Sequence, residues 1–166
     1  TIIDRERLAI NISATEIKKD LNKNWHYLAP ESKAYLTKSI AIVGAESCGK
    51  STLTKKLAEK FNTVFVPEYA RSFIESHGQK FDSNDLIHIA QAHYNHAEVL
   101  KTQASNLFFY DTEAITTNCW NDFFFNIHKK EIQQIINKQK INLYLLVPVQ
   151  DTWVKDDVRY QEQKEE

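Results

Sequence analysis

The chain has 166 residues, of which 42% are hydrophobic and 26% charged, with only three glycines and three prolines. This length and composition are typical of one globular domain of about 100–200 residues, and they exclude collagenous and Gly- or Pro-rich disordered chains. The formal net charge of −1 lacks the basic excess that nucleic-acid and membrane-surface proteins usually carry, so we expect neither kind of partner.

Other features of the composition bear on the origin and location of the chain. It contains no methionine and begins with Thr1, which indicates a segment of a longer protein. Cys48 and Cys119 lack the spacing of metal ligands, so we predict two free thiols in a reducing cytoplasm. A cytoplasmic location is also favoured because no apolar run approaches the about 18 residues of a membrane span and no signal peptide is recognisable.

Residues 1–37 predict one strand, at residues 8–12, and two short helices. Ser13 is a candidate N-cap of the first helix, and Glu16 three residues later completes a capping box. Pro30 is well placed to open the second helix. Elements this small cannot bury a core of their own, so we interpret this region as the end of another domain.

The second region, residues 38–166, alternates strands with helices, which predicts an α/β domain with a parallel sheet. Continuous apolar runs of this length are typical of strands that are buried on both faces. Strands are predicted at residues 40–43, 63–66, 106–110 and 141–147, and helices at 51–61, 83–104 and around 132–136.

The segment that joins the first of these strands to the next helix matches the pattern G-x-x-x-x-G-K-S. Its position between an apolar strand and an amphipathic helix is the context that a phosphate-binding P-loop requires. The glycines let backbone N–H groups point at phosphate oxygens, while the lysine reaches the β- and γ-phosphates and the serine hydroxyl can ligate Mg²⁺. We therefore predict an ATP or GTP phosphate site at Gly44, Ala45, Glu46, Ser47, Cys48, Gly49, Lys50 and Ser51.

Two carboxylates follow later strands, at the edge where an α/β sheet collects functional residues. Asp111 ends the third strand, where P-loop proteins place the carboxylate that holds Mg²⁺, and the alternative is an ordinary helix N-cap. Glu68 follows the second strand, and Arg71 lies three residues later on the same helix face. Either Glu68 takes a proton from an acceptor hydroxyl while Arg71 orients substrate or phosphate, or the two form a surface ion pair of little energetic value.

The polar stretch after the fourth strand contains Trp153, Asp156 and Arg159. It fits a mobile lid that delivers an arginine to the transferring phosphoryl group, a familiar device in kinases. The composition fits a solvated tail equally well.

Two clusters within the domain carry no predicted chemistry. His88, His93 and His96 share the long helix, but no cysteine or carboxylate completes a metal site, so we predict ordinary helix residues. The run from Phe123 to Phe125 is predicted to belong to the core, although an aromatic residue near the site could stack on a flat substrate.

Taken in order, these motifs resemble the ribosylnicotinamide kinase domain of the bifunctional NadR family, in which nicotinamide-nucleotide adenylyltransferase is joined to ribosylnicotinamide kinase. A P-loop alone matches many unrelated proteins, whereas the ordered combination is much more specific. The matching segments run from Ile42 to Ser51, Val66 to Arg71, Ile89 to Gln91 and Tyr110 to Glu113, followed by Thr116, Thr117, Trp153, Asp156 and Arg159. Residues 1–37 resemble the tail of the adenylyltransferase domain, and the segment from Ile12 to Lys18 is similar to its I-S-x-T-x-I-R motif.

The resemblance implies a P-loop kinase fold and a reaction in which ATP phosphorylates N-ribosylnicotinamide to nicotinamide mononucleotide. Residues 44–52, which end at Thr52, would hold the phosphates, and Ser51 and Asp111 would hold Mg²⁺. Glu68 would be a general base or would orient the acceptor, and Lys50, Asp111 and Arg159 would be catalytic. Arg71 and Asp111 would position the substrate. Tyr69 and Trp120 would stack on the cationic nicotinamide ring.

Departures from the family pattern limit these expectations. Lys18 replaces an arginine that would bind phosphate in a bidentate manner, and the upstream H-x-G-H motif is absent, so we expect no adenylyl transfer by this chain alone. Asp157 stands where the family usually has a glycine before the lid arginine. The chain also stops at Glu166, inside the expected lid, so we expect the final strand to be missing and the exposed sheet edge to favour aggregation.

Two other functions remain compatible with the P-loop. One is a regulatory module in which nucleotide occupancy is the signal, and the other is a kinase for a different nucleoside. A GTPase would carry an N-K-x-D segment after a later strand, whereas the sequence after Val147 reads Pro148-Val149-Gln150-Asp151. The oligomeric state is left open.

Overall fold

The computed structural model describes residues 11–149, which form a parallel four-stranded sheet with helices on both faces. This confirms the predicted α/β class with a parallel sheet. In spatial order the strands are β2 (Phe65–Val66), β3 (Leu107–Asp111), β1 (Lys38–Gly44) and β4 (Leu143–Val147). The helices are α1 (Ala14–Lys19), α2 (Pro30–Leu36), α3 (Lys50–Lys60), α4 (Tyr69–His77), α5 (Ser83–Lys101), α6 (Ala114–Phe125) and α7 (Lys130–Lys138), with a 3₁₀ turn at Trp25–Tyr27.

The segment before the sheet, residues 11–37, begins with the predicted capping box. The Ser13 hydroxyl accepts from the Glu16 N–H at 3.1 Å, and the Glu16 carboxylate accepts from the Ser13 N–H at 2.8 Å. Pro30 opens α2, as expected. Neither helix nor the 3₁₀ turn buries a residue. The predicted strand at residues 8–12 falls largely outside the described residues, and its last two residues form no strand.

This segment is attached to the loop between α5 and β3. The indole N–H of Trp25 donates to the Ala104 carbonyl at 2.9 Å, and the Thr37 hydroxyl lies 3.2 Å from the Ser105 carbonyl. Both contacts lie beside the amino ends of β1 and β3, because residue 37 precedes β1 and residues 104 and 105 precede β3.

The sheet core alternates between two faces, as the period of two along a strand requires. Phe108 and Tyr110 face α5 and pack with Ala97, whereas Phe109 faces α3 and packs with Ala58. A separate cluster fills the space between α4, α5, α6 and α7. The four predicted strands and the three predicted helices are all present, with bounds that differ by at most three residues.

Helix α6 is not among the predicted elements, and it corrects two expectations. Its N-cap is Glu113, whose carboxylate accepts from the Ile115 and Thr116 N–H groups at 2.8 and 3.1 Å, so the alternative that Asp111 is an ordinary helix cap is wrong. The prediction that the phenylalanine run belongs to the core is wrong for Phe123, which is 59% exposed.

Within the described residues, β4 forms one edge of the sheet and pairs with β1 on one side. Leu143, Tyr144 and Leu146 are exposed along it. Exposed apolar strands of this kind are sites of edge-to-edge association. Between residues 11 and 149, no helix combines the length and the apolar character that crossing a membrane requires.

Candidate functional site

The strand order brings the three predicted site segments to one edge of the sheet. Because β3 lies between β2 and β1, their carboxyl ends stand side by side. Ile42 of β1 is in register with Asp111, and Val66 of β2 is in register with Tyr110. One residue, Pro67, separates Glu68 from the end of β2, so the sheet places Glu68 near Asp111 and the P-loop.

The loop from Gly44 to Gly49 has the backbone conformation that its glycines permit. Gly44 and Gly49 have φ angles of 151° and 88°, and Ser47 between them has a φ angle of 63°. Gly44 also approaches its neighbours closely, since a Cβ atom there would lie 2.5 Å from the Val147 carbonyl oxygen and 3.0 Å from the Cys48 sulfur. Space as well as backbone conformation therefore requires glycine at this position.

We expect Gly44→Ala to destabilise the fold more than Gly78→Ala. Both positions have positive φ angles, which cost an L-residue about 1–3 kcal/mol, but a Cβ at Gly78 would meet nothing within 4 Å. At Gly44 the clash adds an overpacking cost of about 1–3 kcal/mol. Chemical denaturation of the two variants measures the difference, and equal free energies of unfolding would contradict the close approach.

The start of α3 is open to an anion. Its N-cap, Gly49, has no side chain, so no side chain occupies the first N–H groups of the helix. Those groups and the helix dipole favour a negatively charged ligand at this end. The Lys50 ammonium group lies over the loop, where it donates to the Ala45 carbonyl at 2.6 Å. The arrangement suits the binding of phosphate oxygens.

Asp111 is a buried carboxylate, and one of its two oxygens lacks a hydrogen-bond partner. The oxygen without a partner is Oδ1, which is itself buried. Burial raises the pKa of Asp111 above its ordinary value, and the nearby Ser51 hydroxyl, the charges of Lys50 and Arg71 and the Glu68 backbone oppose that rise. A buried acceptor without a partner points to a ligand at this position.

Glu68 stands at the N-cap position of α4, with its carboxylate among the other charged groups of the site. Burial is the main cause that raises the pKa of Glu68, and the neighbouring negative charge of Asp111 adds to it, while Lys50 and Arg71 lower it. A carboxyl group with a raised pKa is suited to accepting a proton near neutral pH. The Arg71 Nη1 atom lies 3.9 Å from the Glu75 Oε1 atom, so the guanidinium group also approaches the next turn of its own helix.

A cavity of about 520 Å³ extends from the P-loop to a wall of aromatic side chains. Its polar end is lined by Lys50, Ser51, Thr52, Glu68 and Arg71, together with Gly44, Glu46, Ser47 and Gly49 of the loop. Its apolar end is lined by Trp120, Phe124, Phe125 and Phe81. Trp120 and Phe124 stack with their ring centroids 5.5 Å apart. The cavity is large enough for a small polar molecule that carries a flat ring.

The structure leaves several predicted site residues outside this cavity. Tyr69 does not line it, because its ring packs against the cluster between α4 and α7 and lies 6.2 Å from the ring of His88. The Cys48 side chain is buried beneath the loop. Trp153, Asp156 and Arg159 lie outside the described residues, so the proposed lid has no structural account.

Sequence reasoning missed the contribution of Phe81, Phe124 and Phe125 to the wall. Only the position of Trp120 one turn before Phe124 on α6 could have indicated it, and α6 was not predicted. Among the described residues, no group of three or more His, Cys, Asp or Glu side chains is placed to hold a metal ion.

A parallel sheet whose first strand leads through G-x-x-x-x-G-K-S into a helix defines a P-loop α/β domain. The chain belongs to the family described as an AAA domain, whose sequence profile matches residues 39–166. It is also homologous to NadR: it is 31% identical over 162 residues to the trifunctional NAD biosynthesis/regulator protein NadR of Salmonella typhimurium strain LT2 and 30% identical to that of Escherichia coli strain K12. Each alignment covers 95% of this chain, which spans about 40% of the length of those relatives.

Two solved structures share the fold. A crystal structure of NadR protein in complex with NR superimposes with a TM-score of 0.78 and 24% sequence identity, over 95% of this chain and 46% of that one. A crystal structure of NadR protein in complex with NAD and AMP-PNP gives a TM-score of 0.70 and 24% identity, over 88% of this chain and 43% of that one. The P-loop α/β fold expected from the sequence is thereby confirmed.

Proposed function

We propose that the domain transfers the γ-phosphoryl group of ATP to the 5′-hydroxyl of N-ribosylnicotinamide, giving nicotinamide mononucleotide and ADP. The observation that carries this proposal is the juxtaposition of the P-loop with Glu68 at one end of a cavity whose other end is aromatic, with the charge of the buried Asp111 near enough to raise the pKa of Glu68. It is supported by homology to proteins named for NAD biosynthesis and by the bound NR and AMP-PNP of the NadR structures with this fold.

The residues of the polar end divide into phosphate and acceptor groups. The N–H groups at the start of α3 and the Lys50 ammonium group bind the β- and γ-phosphates of ATP and stabilise charge on the transferring group. Glu68 accepts or orients the proton of the acceptor hydroxyl, and its raised pKa suits that task. Arg71 holds the acceptor or the incoming phosphate, and Arg159 closes over it.

The proposal includes Mg²⁺, which when bound neutralises phosphate charge. The described residues fit such an ion: the unpartnered Oδ1 of Asp111 and the nearby Ser51 hydroxyl offer two hard oxygen ligands. Two protein oxygens are sufficient, because Mg²⁺ takes its remaining ligands from substrate phosphates and water.

The aromatic end of the cavity would receive the nicotinamide ring. A cationic pyridinium is attracted to the face of an indole, so Trp120 is the best-placed stacking partner. Phe124 stacks behind Trp120 and restricts its orientation.

We also propose that residues 1–37 are the tail of an adenylyltransferase domain and that residues 38–166 belong to the kinase domain. In support, the helices between residues 14 and 36 bury none of their own residues and are held to the sheet by a few hydrogen bonds.

The decisive experiment measures ADP release by the full-length protein with ATP and Mg²⁺ against a panel of nucleosides that includes ribosylnicotinamide. We expect ADP release that depends on ribosylnicotinamide, with nicotinamide mononucleotide identified by mass spectrometry. Preference for another nucleoside would assign a different kinase, and nucleotide binding without acceptor phosphorylation would assign a regulatory module.

A further inference from the structure

The aromatic wall of the cavity is built from two separate segments of the chain. Phe81 precedes α5, whereas Trp120 and Phe124 lie on α6. Phe124 is the central ring of the three. It stacks on Trp120 with centroids 5.5 Å apart, and it meets Phe81 edge-on with centroids 5.2 Å apart and an interplanar angle of 85°. The shape of the wall therefore depends on how α6 is held against the start of α5.

A buried side-chain amide joins these two segments. Asn121 is next to Trp120 on α6 and is fully buried. Its Oδ1 atom accepts a hydrogen bond of 2.6 Å from the hydroxyl of Ser83, which lies two residues after Phe81. Its Nδ2 group donates to the carbonyl of Ile127, just beyond the end of α6. Because a carbonyl can only accept, the amide nitrogen has to face Ile127, which leaves the amide oxygen for Ser83.

Both ends of this bridge are themselves fixed by the backbone. Asp82, between Phe81 and Ser83, caps α5 by accepting from two backbone N–H groups at 2.7 and 3.0 Å. At the other end, Asn126 has a φ angle of 50°, which ends α6 and returns the chain toward Asn121. The amide of Asn121 therefore connects two ordered points rather than two loose loops.

The position of Asn121 indicates what the bridge can influence. Its side chain does not line the cavity, so it acts on a ligand there only through the neighbouring rings. Trp120 and Phe124 are four residues apart and share one face of α6. A bond that fixes the helix at Asn121 therefore fixes both rings relative to Phe81.

We propose that Asn121 is a positioning residue, whose amide holds α6 against the start of α5 so that Phe81, Trp120 and Phe124 form an ordered wall for a flat ring. The inference rests on the proposed function for the identity of that ring, whereas the bridge is a property of the fold alone. A wall that is ordered before the ligand arrives reduces the entropic cost of binding. The bridge should therefore affect binding of the ring and leave binding of phosphate unchanged.

Kinetic constants of the full-length protein test this separation. Ser83→Ala removes the donor to the Asn121 oxygen with a small change in volume. We expect it to raise the KM for ribosylnicotinamide about three- to tenfold, which is the shift that one net hydrogen bond can cause in an equilibrium. The kcat and the KM for ATP should stay unchanged, as for a loss of uniform substrate binding.

A second variant and a control complete the kinetic test. Asn121→Leu keeps a side chain of similar shape but loses both bonds, so it should raise the KM for ribosylnicotinamide further than Ser83→Ala does. Gln133→Leu is the matched control, because it removes an exposed side-chain amide bond of 3.1 Å to Asn137 on α7 and should behave as wild type. Thermal unfolding checks that every variant is folded at the assay temperature.

A further measurement needs neither ligand nor turnover. In the ligand-free full-length protein labelled with 5-fluorotryptophan, the ¹⁹F signal of Trp120 can be assigned with Trp120→Phe. We expect one sharp signal in wild type and in Gln133→Leu. The signal should broaden or shift in Ser83→Ala and Asn121→Leu, because the ring then samples other orientations.

Three outcomes would overturn the inference: an unchanged KM for ribosylnicotinamide in both bridge variants, an equal rise in the KM for ATP, or a Trp120 signal that does not respond to either variant. If the wild-type protein leaves ribosylnicotinamide unphosphorylated, the proposed function fails. The ¹⁹F signal of Trp120 then still decides whether Asn121 orders the wall.

Discussion

Lys50→Ala should abolish phosphoryl transfer while leaving the fold intact. The ammonium group stands over the P-loop, where it donates to the Ala45 carbonyl at an exposed position, so its removal costs the folded state little. In the transition state it would face the charge that develops on the transferring phosphoryl group, and loss of one such group costs about a hundredfold to a thousandfold in turnover. ADP release and thermal unfolding of the variant measure the two effects separately.

The matched control for Lys50 is Lys55→Ala, which changes an exposed lysine five residues later on α3. It removes the same charge from the same helix without touching the loop. Unchanged kinase activity in Lys50→Ala would contradict the assignment of the P-loop. An equal loss of activity in both variants would show that the loss comes from the change in net charge and not from the position of Lys50.

Glu68→Gln should lower the turnover of ribosylnicotinamide in the full-length protein by about a hundredfold to ten-thousandfold, the usual range for loss of a general base. The amide keeps the shape of the side chain but cannot accept the proton of the acceptor hydroxyl. Glu59→Gln, at an exposed position on α3, removes a carboxylate elsewhere and should have no effect. If turnover of Glu68→Gln barely changes, the role of Glu68 is structural, and Asp111 becomes the better candidate base.

The same substitution should also change stability in a manner that depends on pH. Burial, followed by the charge of Asp111, raises the pKa of Glu68 above its ordinary value of 4.5. The contribution of this carboxyl to the free energy of unfolding is therefore full below pH 4.5 and falls as the pH rises through the raised folded-state pKa. We expect Glu68→Gln to be more stable than wild type above neutral pH and to lose that advantage in acid. Urea unfolding above neutral pH and in acid tests this prediction. It would be refuted if the free energies of unfolding of Glu68→Gln and wild type differed by the same amount under both conditions.

Much of the site could be predicted because its signals are local. The glycine spacing, the preceding apolar strand and the helix that follows at Lys50 are contiguous in sequence, and each requires a particular backbone conformation. Glu68 and Asp111 were predictable for a similar reason, since the carboxyl ends of parallel strands meet at one edge.

Helix α6 was missed because its sequence lacks a clear amphipathic period. Thr116 and Thr117 and the run of phenylalanines favour strands by propensity, and helix formation is decided by packing against α5 and α7. Without that helix, the aromatic wall of the cavity could not be assembled from sequence.

Contacts between segments that are distant in the chain could not be predicted from the sequence for a different reason. Nothing in the sequence around His93 indicates that its ring would lie against that of Tyr110, because this contact depends on how α5 packs on the sheet. Tyr69 follows Glu68 directly, yet the first turn of α4 directs its ring into the core. Adjacency in the chain is therefore poor evidence for adjacency in a site.

The hydrogen bond from Trp25 to the Ala104 carbonyl bears on where the product of the proposed reaction would go after it leaves the P-loop. It lies at the amino ends of the strands, and the seven residues of β1 put about 20 Å between it and the P-loop. If residues 1–37 close an adenylyltransferase domain, that domain meets the sheet on the side away from the cavity. Nicotinamide mononucleotide would then leave into bulk solvent before its second reaction, so an added enzyme that consumes the mononucleotide should intercept it.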